Sequence, residues 1–186
     1  MALTQLDAVA ALVVIDMQKG IVALPVAHPA AEIAARVARL CRGFREKKLP
    51  VILVNVAGVP PGRTDQKRNF SPPADWSELI PELDRQPGDY TVTKMQVGAF
   101  YGTALEMILR RRGVTQVFMC GISTSVGVES TARNAYDHGY NVVFATDAMT
   151  DLSADNHRHS VEKVFPRYGE TTTASEILTE LAKRAS

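Results

Sequence analysis

The stretch Cys120-Gly121-Ile122-Ser123-Thr124-Ser125-Val126-Gly127-Val128-Glu129-Ser130-Thr131-Ala132-Arg133 decides how this chain is read. Before it runs Val114-Thr115-Gln116-Val117-Phe118-Met119, an apolar, β-branched run of the kind a strand buried on both faces requires. After it runs Asn134-Ala135-Tyr136-Asp137-His138-Gly139, which closes a helix with a C-terminal glycine. The pattern is strand, turn of small polar residues, helix. In a parallel α/β sheet such turns lie at the carboxyl ends of strands, where ligands bind. The free N–H groups of a first helical turn favour an anion or a developing oxyanion. Ser123, Thr124 and Gly127 are therefore expected to contact substrate.

Working outward, Val9-Ala10-Ala11-Leu12-Val13-Val14-Ile15 reads as a buried strand that ends at Asp16-Met17-Gln18-Lys19-Gly20. A carboxylate at that end serves either chemistry or the loop that follows. Ile21 to His28 reads as a loop. Pro29 to Lys47 reads as a helix, with Ile33, Val37, Leu40 and Phe44 at helical spacing and Cys41 beside them as a small hydrophobe. Pro50 to Val56 is a second buried strand. The segment from Ala57 to Asp89, rich in Pro and Gly, is either a substrate wall or a surface excursion with one short helix near Trp76 to Leu83. It holds Arg63, Gln66 and the only tryptophan, Trp76.

Tyr90 to Thr93 is a short strand followed by Lys94. Thr103 is the expected N-cap of the next helix, with Glu106 completing a capping box, and Arg110 to Arg112 matching the dipole at its far end. Asn141 to Thr146 is a strand, Ala154 to Val164 a helix, Glu170 to Thr172 an edge strand and Ala174 to Lys183 a final helix. The alternation predicts an α/β fold: a doubly wound, Rossmann-like, mostly parallel six-stranded sheet with helices on both faces. With 186 residues, one domain spanning 1–186 is expected.

A formal net charge of +1 points to neither a nucleic-acid nor a membrane partner. Two cysteines make no disulfide framework, and the N-terminus lacks the pattern of a secretory signal, so a cytoplasmic protein is expected. Glu129 and Arg133 are spaced for an intrahelical ion pair, with an oligomer interface as the other reading. His138 falls at a helix C-terminus, and His157 and His159 are expected at the surface or an interface.

Three stretches carry a family resemblance: Val14-Ile15-Asp16-Met17-Gln18, Lys94-Met95-Gln96-Val97-Gly98-Ala99-Phe100-Tyr101-Gly102-Thr103, and Gly121 to Arg133. Together they resemble the isochorismatase-like hydrolase superfamily, the cysteine hydrolases, over nearly the whole chain. The resemblance implies a small-molecule hydrolase that forms homo-oligomers, a dimer or tetramer. The family's Asp–Lys–Cys triad maps onto Asp16, Lys94 and the position of Gly127. Glycine has no side chain, so no thioester forms there.

Members that cleave a vinyl ether work without a cysteine. For that chemistry Asp16 is the expected acid, Lys94 either orients Asp16 or holds a substrate carboxylate, and Phe100, Arg63 and Gln66 are further candidate substrate contacts, the last two as a carboxylate clamp. Isochorismatases themselves resemble one another in an aromatic residue at the position of Ser123, so isochorismate is not the expected substrate. An amidohydrolase using Cys120 as nucleophile is one alternative, and a non-catalytic binding protein another. Nicotinamidases carry an Asp-x-His pair where this chain has Asn55-Val56-Ala57, so neither metal nor cofactor is expected.

Overall fold

The computed structural model describes residues 3–65 and 71–184. Its strands are β1 (Ala10–Ile15), β2 (Val51–Val56), β3 (Tyr90–Lys94), β4 (Gln116–Ile122), β5 (Asn141–Thr150) and β6 (Glu170–Thr172). Its helices are α1 (Lys19–Val22), α2 (Ala30–Glu46), α3 (Leu105–Arg111), α4 (Glu129–Asp137), α5 (Ala154–His159) and α6 (Ala174–Lys183). The strands pair in the order β3-β2-β1-β4-β5-β6, all parallel. The chain winds one way from β1 through β2 to β3, then returns to β1's other side as β4. The order reverses between β1 and β4, so the crevice of a doubly wound sheet opens at their carboxyl ends.

The two faces of the sheet are filled by alternate residues of the same strands. Leu12, Val14, Phe118 and Cys120 face α2 and α6, where they meet Val37, Leu40, Phe44, Ile177 and Leu181. Val13, Ile15, Val117 and Met119 face α3 and α4, where they meet Leu105, Leu109, Val128 and Ala132. Phe44 meets Phe118 edge-on with ring centroids 5.2 Å apart, and Phe144 stacks on Phe165 at 3.8 Å. Each such side chain fully buried contributes about 1.5–3 kcal/mol. These layers lock the register of β1 against β4, and with it the position of every group at the crevice. Among the described residues no helix is long and apolar enough to cross a membrane.

The structure corrects several expectations. The segment read as a loop after Gly20 begins with the short helix α1. Pro29 is the N-cap of α2, and its fixed φ suits the position just outside the helix. The helix expected near Trp76 is a set of turns followed by one 3-10 turn, Pro81–Leu83. No capping box forms at α3: Ala104 is the N-cap, Thr103 Oγ1 donates to the Ala99 carbonyl at 2.5 Å, and Glu106 faces Arg110 and His138. β5 continues past Thr146 because pairing with β4 resumes at Gly121 with Met149 after an irregularity in register. The helix after β4 opens with a wide, π-type turn over Thr124–Val128, as does the continuation of α5 over Ser160–Val164.

Candidate active site

Three strand ends meet in the crevice. Asp16 follows β1 in the left-handed region, φ +51, which Asp tolerates better than most residues. Its N–H donates to the Val54 carbonyl at 2.9 Å and its own carbonyl accepts from Gln18 N at 2.9 Å. Lys94 is the last residue of β3, opposite Val56 of β2, and its side chain reaches past β2 to Asp16. Lys94 Nζ donates to Asp16 Oδ2 at 2.7 Å and to the Val97 carbonyl at 2.7 Å. Asp16 is only 5% exposed and Lys94 2%. Burial pushes the Asp16 carboxyl up to about 6, against the opposing pull of Lys94. Asp16 Oδ1 is buried and has no hydrogen-bond partner among the described residues.

Gly127 completes the group. A Cβ at this position would lie 3.1 Å from Asp16 Oδ2, 3.5 Å from Lys94 Nζ and 2.9 Å from Ile15 Cγ2. The approach is possible because Gly121, at φ +114, brings the end of β4 against β1, where a Cβ would sit 2.0 Å from the Ile15 carbonyl oxygen. The turn is braced from behind. Ser125 donates to Asp151 Oδ2 through its backbone N at 2.7 Å and its Oγ at 2.8 Å. Thr131 Oγ1 donates to the Gly127 carbonyl at 2.7 Å and accepts from Ala99 N at 3.1 Å, tying the turn to the segment after Lys94.

These groups floor a cavity of about 590 Å³. Ser123, Gln96, Val56, Val126 and Trp76 stand in its wall. Trp76 is seated against Gly20, where a Cβ would lie 1.9 Å from its Cδ1. Gln18 fixes this wall: its Nε2 donates to the carbonyls of Val56 and Trp76, both at 3.0 Å, and its Oε1 accepts from Val56 N at 2.7 Å. The long segment after β2 thus supplies part of the cavity. The sequence signal for Trp76 was a lone tryptophan on a loop leaving a strand end. Nothing in the sequence singled out Gly20, Leu24 or Val126, whose roles depend on how that loop folds back.

Other expected contacts lie elsewhere. Thr124 is buried behind the turn, its Oγ1 2.8 Å from His157 Nδ1; a strand–turn–helix reading cannot tell which hydroxyl faces inward. Its partner His157, expected at the surface or an interface, is half-buried within the chain, with its ring 4.7 Å from that of His28, and burial lowers its pKa. Phe100 is buried in the α3 face of the core and stacks on His138 at 5.0 Å. Arg63 is exposed and does not line the cavity, and Gln66 lies outside the described residues. Cys120 is fully buried in the layer beneath α2 and α6, does not line the cavity, and burial raises its thiol well above the ordinary value. Glu129 and Arg133 form the intrahelical pair, Nη2 to Oε1 at 2.9 Å. No group of three or more His, Cys, Asp or Glu among the described residues is placed to hold a metal.

Comparison with known proteins places the chain in a family. The isochorismatase domain model matches residues 10–176. The uncharacterized isochorismatase family protein YwoC of Bacillus subtilis is 41% identical over 179 residues, covering 92% of this chain and 93% of that protein. An isochorismatase family protein of Burkholderia thailandensis superposes with a TM-score of 0.86 at 41% identity, covering 95% of this chain and 97% of the other. N-carbamoylsarcosine amidase of Thermoplasma acidophilum superposes with a TM-score of 0.72 at 27% identity, over 89% of this chain and 96% of the other. The chain belongs to the isochorismatase family, whose members are hydrolases.

Proposed function

We propose that this chain is a small-molecule hydrolase that works by acid catalysis through Asp16, with Lys94 as its partner and no cysteine nucleophile. It would stand in a subgroup of the family with glycine at the nucleophile position. The observation that carries this reading is Gly127 itself: the point where a Cβ would lie 3.1 Å from Asp16 Oδ2 and 3.5 Å from Lys94 Nζ holds no side chain. Both thiols of the chain are buried. What the floor offers instead is a carboxyl whose pKa, near 6, lets it carry a proton close to neutral pH.

On an enol ether the steps balance simply. Asp16 gives its proton to the terminal vinyl carbon, leaving an oxocarbenium ion stabilised by the ether oxygen and by the adjacent carboxylate. Water attacks the cationic carbon and returns a proton to Asp16. The hemiacetal or hemiketal collapses to a carbonyl compound and an alcohol. Lys94 holds Asp16 in place through Oδ2, and the unpartnered Oδ1 is the oxygen left to exchange the proton.

The test is Asp16→Asn, which keeps the shape and removes the acid. Hydrolysis is expected to fall at least about a thousandfold with the fold intact by circular dichroism, in line with loss of a general acid. For the wild-type chain, kcat should fall as pH rises through about 6, where the acid ionises. Undiminished turnover in Asp16→Asn removes this mechanism. The family resemblance also supports a homo-oligomer, dimer or tetramer, which sedimentation velocity tests; a monomer alone counts against it.

A further inference from the structure

We propose that the cavity is built for uncharged, largely apolar substrates and rejects carboxylates. This rests on the hydrolase reading for where the substrate sits, but not on which group supplies the proton.

Above its floor the wall is apolar: Ile21, Leu24, Val56, Val59, Val97 and Val126 line it. Lys94 is the only cationic side chain in the wall among the described residues. Two of its N–H groups are taken by Asp16 Oδ2 and the Val97 carbonyl, and its charge is paired with Asp16 at the floor. Arg63, the described candidate for a carboxylate clamp, is exposed and outside the wall. The Gln96 amide is also engaged, since its Nε2 donates to the Tyr101 carbonyl and its Oε1 accepts from Met95 N. The polar handle that remains is neutral: Ser123 lines the cavity, and its Oγ has no partner among the described residues.

A carboxylate carried into this space loses its hydration and finds, among the described residues, only Lys94, whose charge is already paired with Asp16. If it turned toward the floor while Asp16 is ionised, it would meet a like charge. A neutral ether, enol ether or ester pays neither penalty and gains from every apolar side chain it covers. The substrate class is therefore a neutral apolar molecule with one oxygen function. This differs from the carboxylated substrate that a clamp at Arg63 would suit, Gln66 lying outside the described residues.

Two inert compounds of matched shape test it: phenetole, uncharged, and 4-ethoxybenzoate, its carboxylated counterpart. Each is titrated into the wild-type protein at pH 7.5 and followed by amide NMR shifts at Val97 and Val126. Phenetole is expected to bind at least about tenfold more tightly. Val126→Arg, which places a cation at the partly exposed mouth, is expected to move the preference toward 4-ethoxybenzoate. Equal or tighter binding of 4-ethoxybenzoate by the wild type overturns the proposal, as does phenetole leaving both amides unmoved. Turnover is read separately with phenyl vinyl ether, which water cleaves to phenol and acetaldehyde. If phenetole binds selectively but no acetaldehyde is released, the preference for neutral ligands stands and the acid-catalysis reading falls.

Discussion

Asp16 couples the candidate site to the stability of the whole chain. Its carboxyl titrates near 6 when folded, against 3.8 as the ordinary value. Between these pH values the folded state binds more protons than the unfolded state. Stability from this group is therefore full below about 3.8 and is lost as pH rises through about 6. The loss is on the order of 3 kcal/mol. Urea melts of the wild type and Asp16→Asn from pH 4 to 7 should show a downward slope that the variant lacks; parallel curves would rule out this linkage. Cys120 makes the opposite case. Its thiol is sealed in the core, so Cys120→Ala should change kcat/KM less than twofold while costing about 1 kcal/mol of stability for the atom removed. A hundredfold loss of activity there would restore the thiol mechanism. At this scale the sequence was informative about the floor and less so about the walls. Strand ends pointed to Asp16, Lys94 and the Ser123–Gly127 turn, and the family resemblance singled out Gly127 within it. Thr124 and Phe100 do not, because whether a turn residue faces cavity or core depends on a helix opening with a wide turn and on packing across the sheet.

At the scale of elements, Gln18 matters more than its place in a short motif indicates. It is fully buried and its side chain joins the end of β2 to the Trp76 segment through three hydrogen bonds. Gln18→Ala leaves the Val56 N–H without its side-chain acceptor and takes one donor from each of the Val56 and Trp76 carbonyls, the latter keeping Gly20 N, at a cost of about 1–3 kcal/mol for each buried group left unpaired. Because Trp76 is the only tryptophan, the change is visible in fluorescence. A lower urea midpoint and a red-shifted emission maximum are expected; an unchanged spectrum would show that the wall stands without Gln18. The periodicity of apolar residues located the strands and the long helices to within a few residues. It missed the start of α3, where Thr103 satisfies the Ala99 carbonyl instead of forming a box with Glu106. It also missed the reach of β5, since pairing that resumes after an irregularity leaves no periodic trace. Such outcomes are settled by tertiary competition for hydrogen bonds.

For the molecule as a whole, strand order sets a gradient of protection. β1 and β4 lie side by side at the centre and every residue of both is buried. β6 is a three-residue edge strand, and residues 58–65 form no strand or helix. Amide hydrogen exchange should be slowest in β1 and β4, approaching global unfolding, and fastest over 58–65, with β6 between. Exchange of β1 before β6 would contradict a core nucleated on the central pair. The doubly wound sheet was legible from alternating strand and helix patterns, and the position of the crevice followed from it. The wall formed by the long segment was not, because a chain rich in Pro and Gly carries little periodicity from which to place it.

The bare backbone at Gly127 also makes this chain a convenient carrier for chemistry of the experimenter's choosing. Its two native thiols are both buried, and burial pushes Cys41 up to about 12 and Cys120 well above its ordinary value, so neither should react with a maleimide while the protein is folded. Gly127→Cys adds one sulfur at the floor of a ready-made cavity, with Ile15 and Asp16 yielding a few tenths of an ångström to admit its Cβ. A spin label, a fluorophore or a synthetic catalyst attached there would occupy a single known address, and intact-mass spectra would show one adduct per chain.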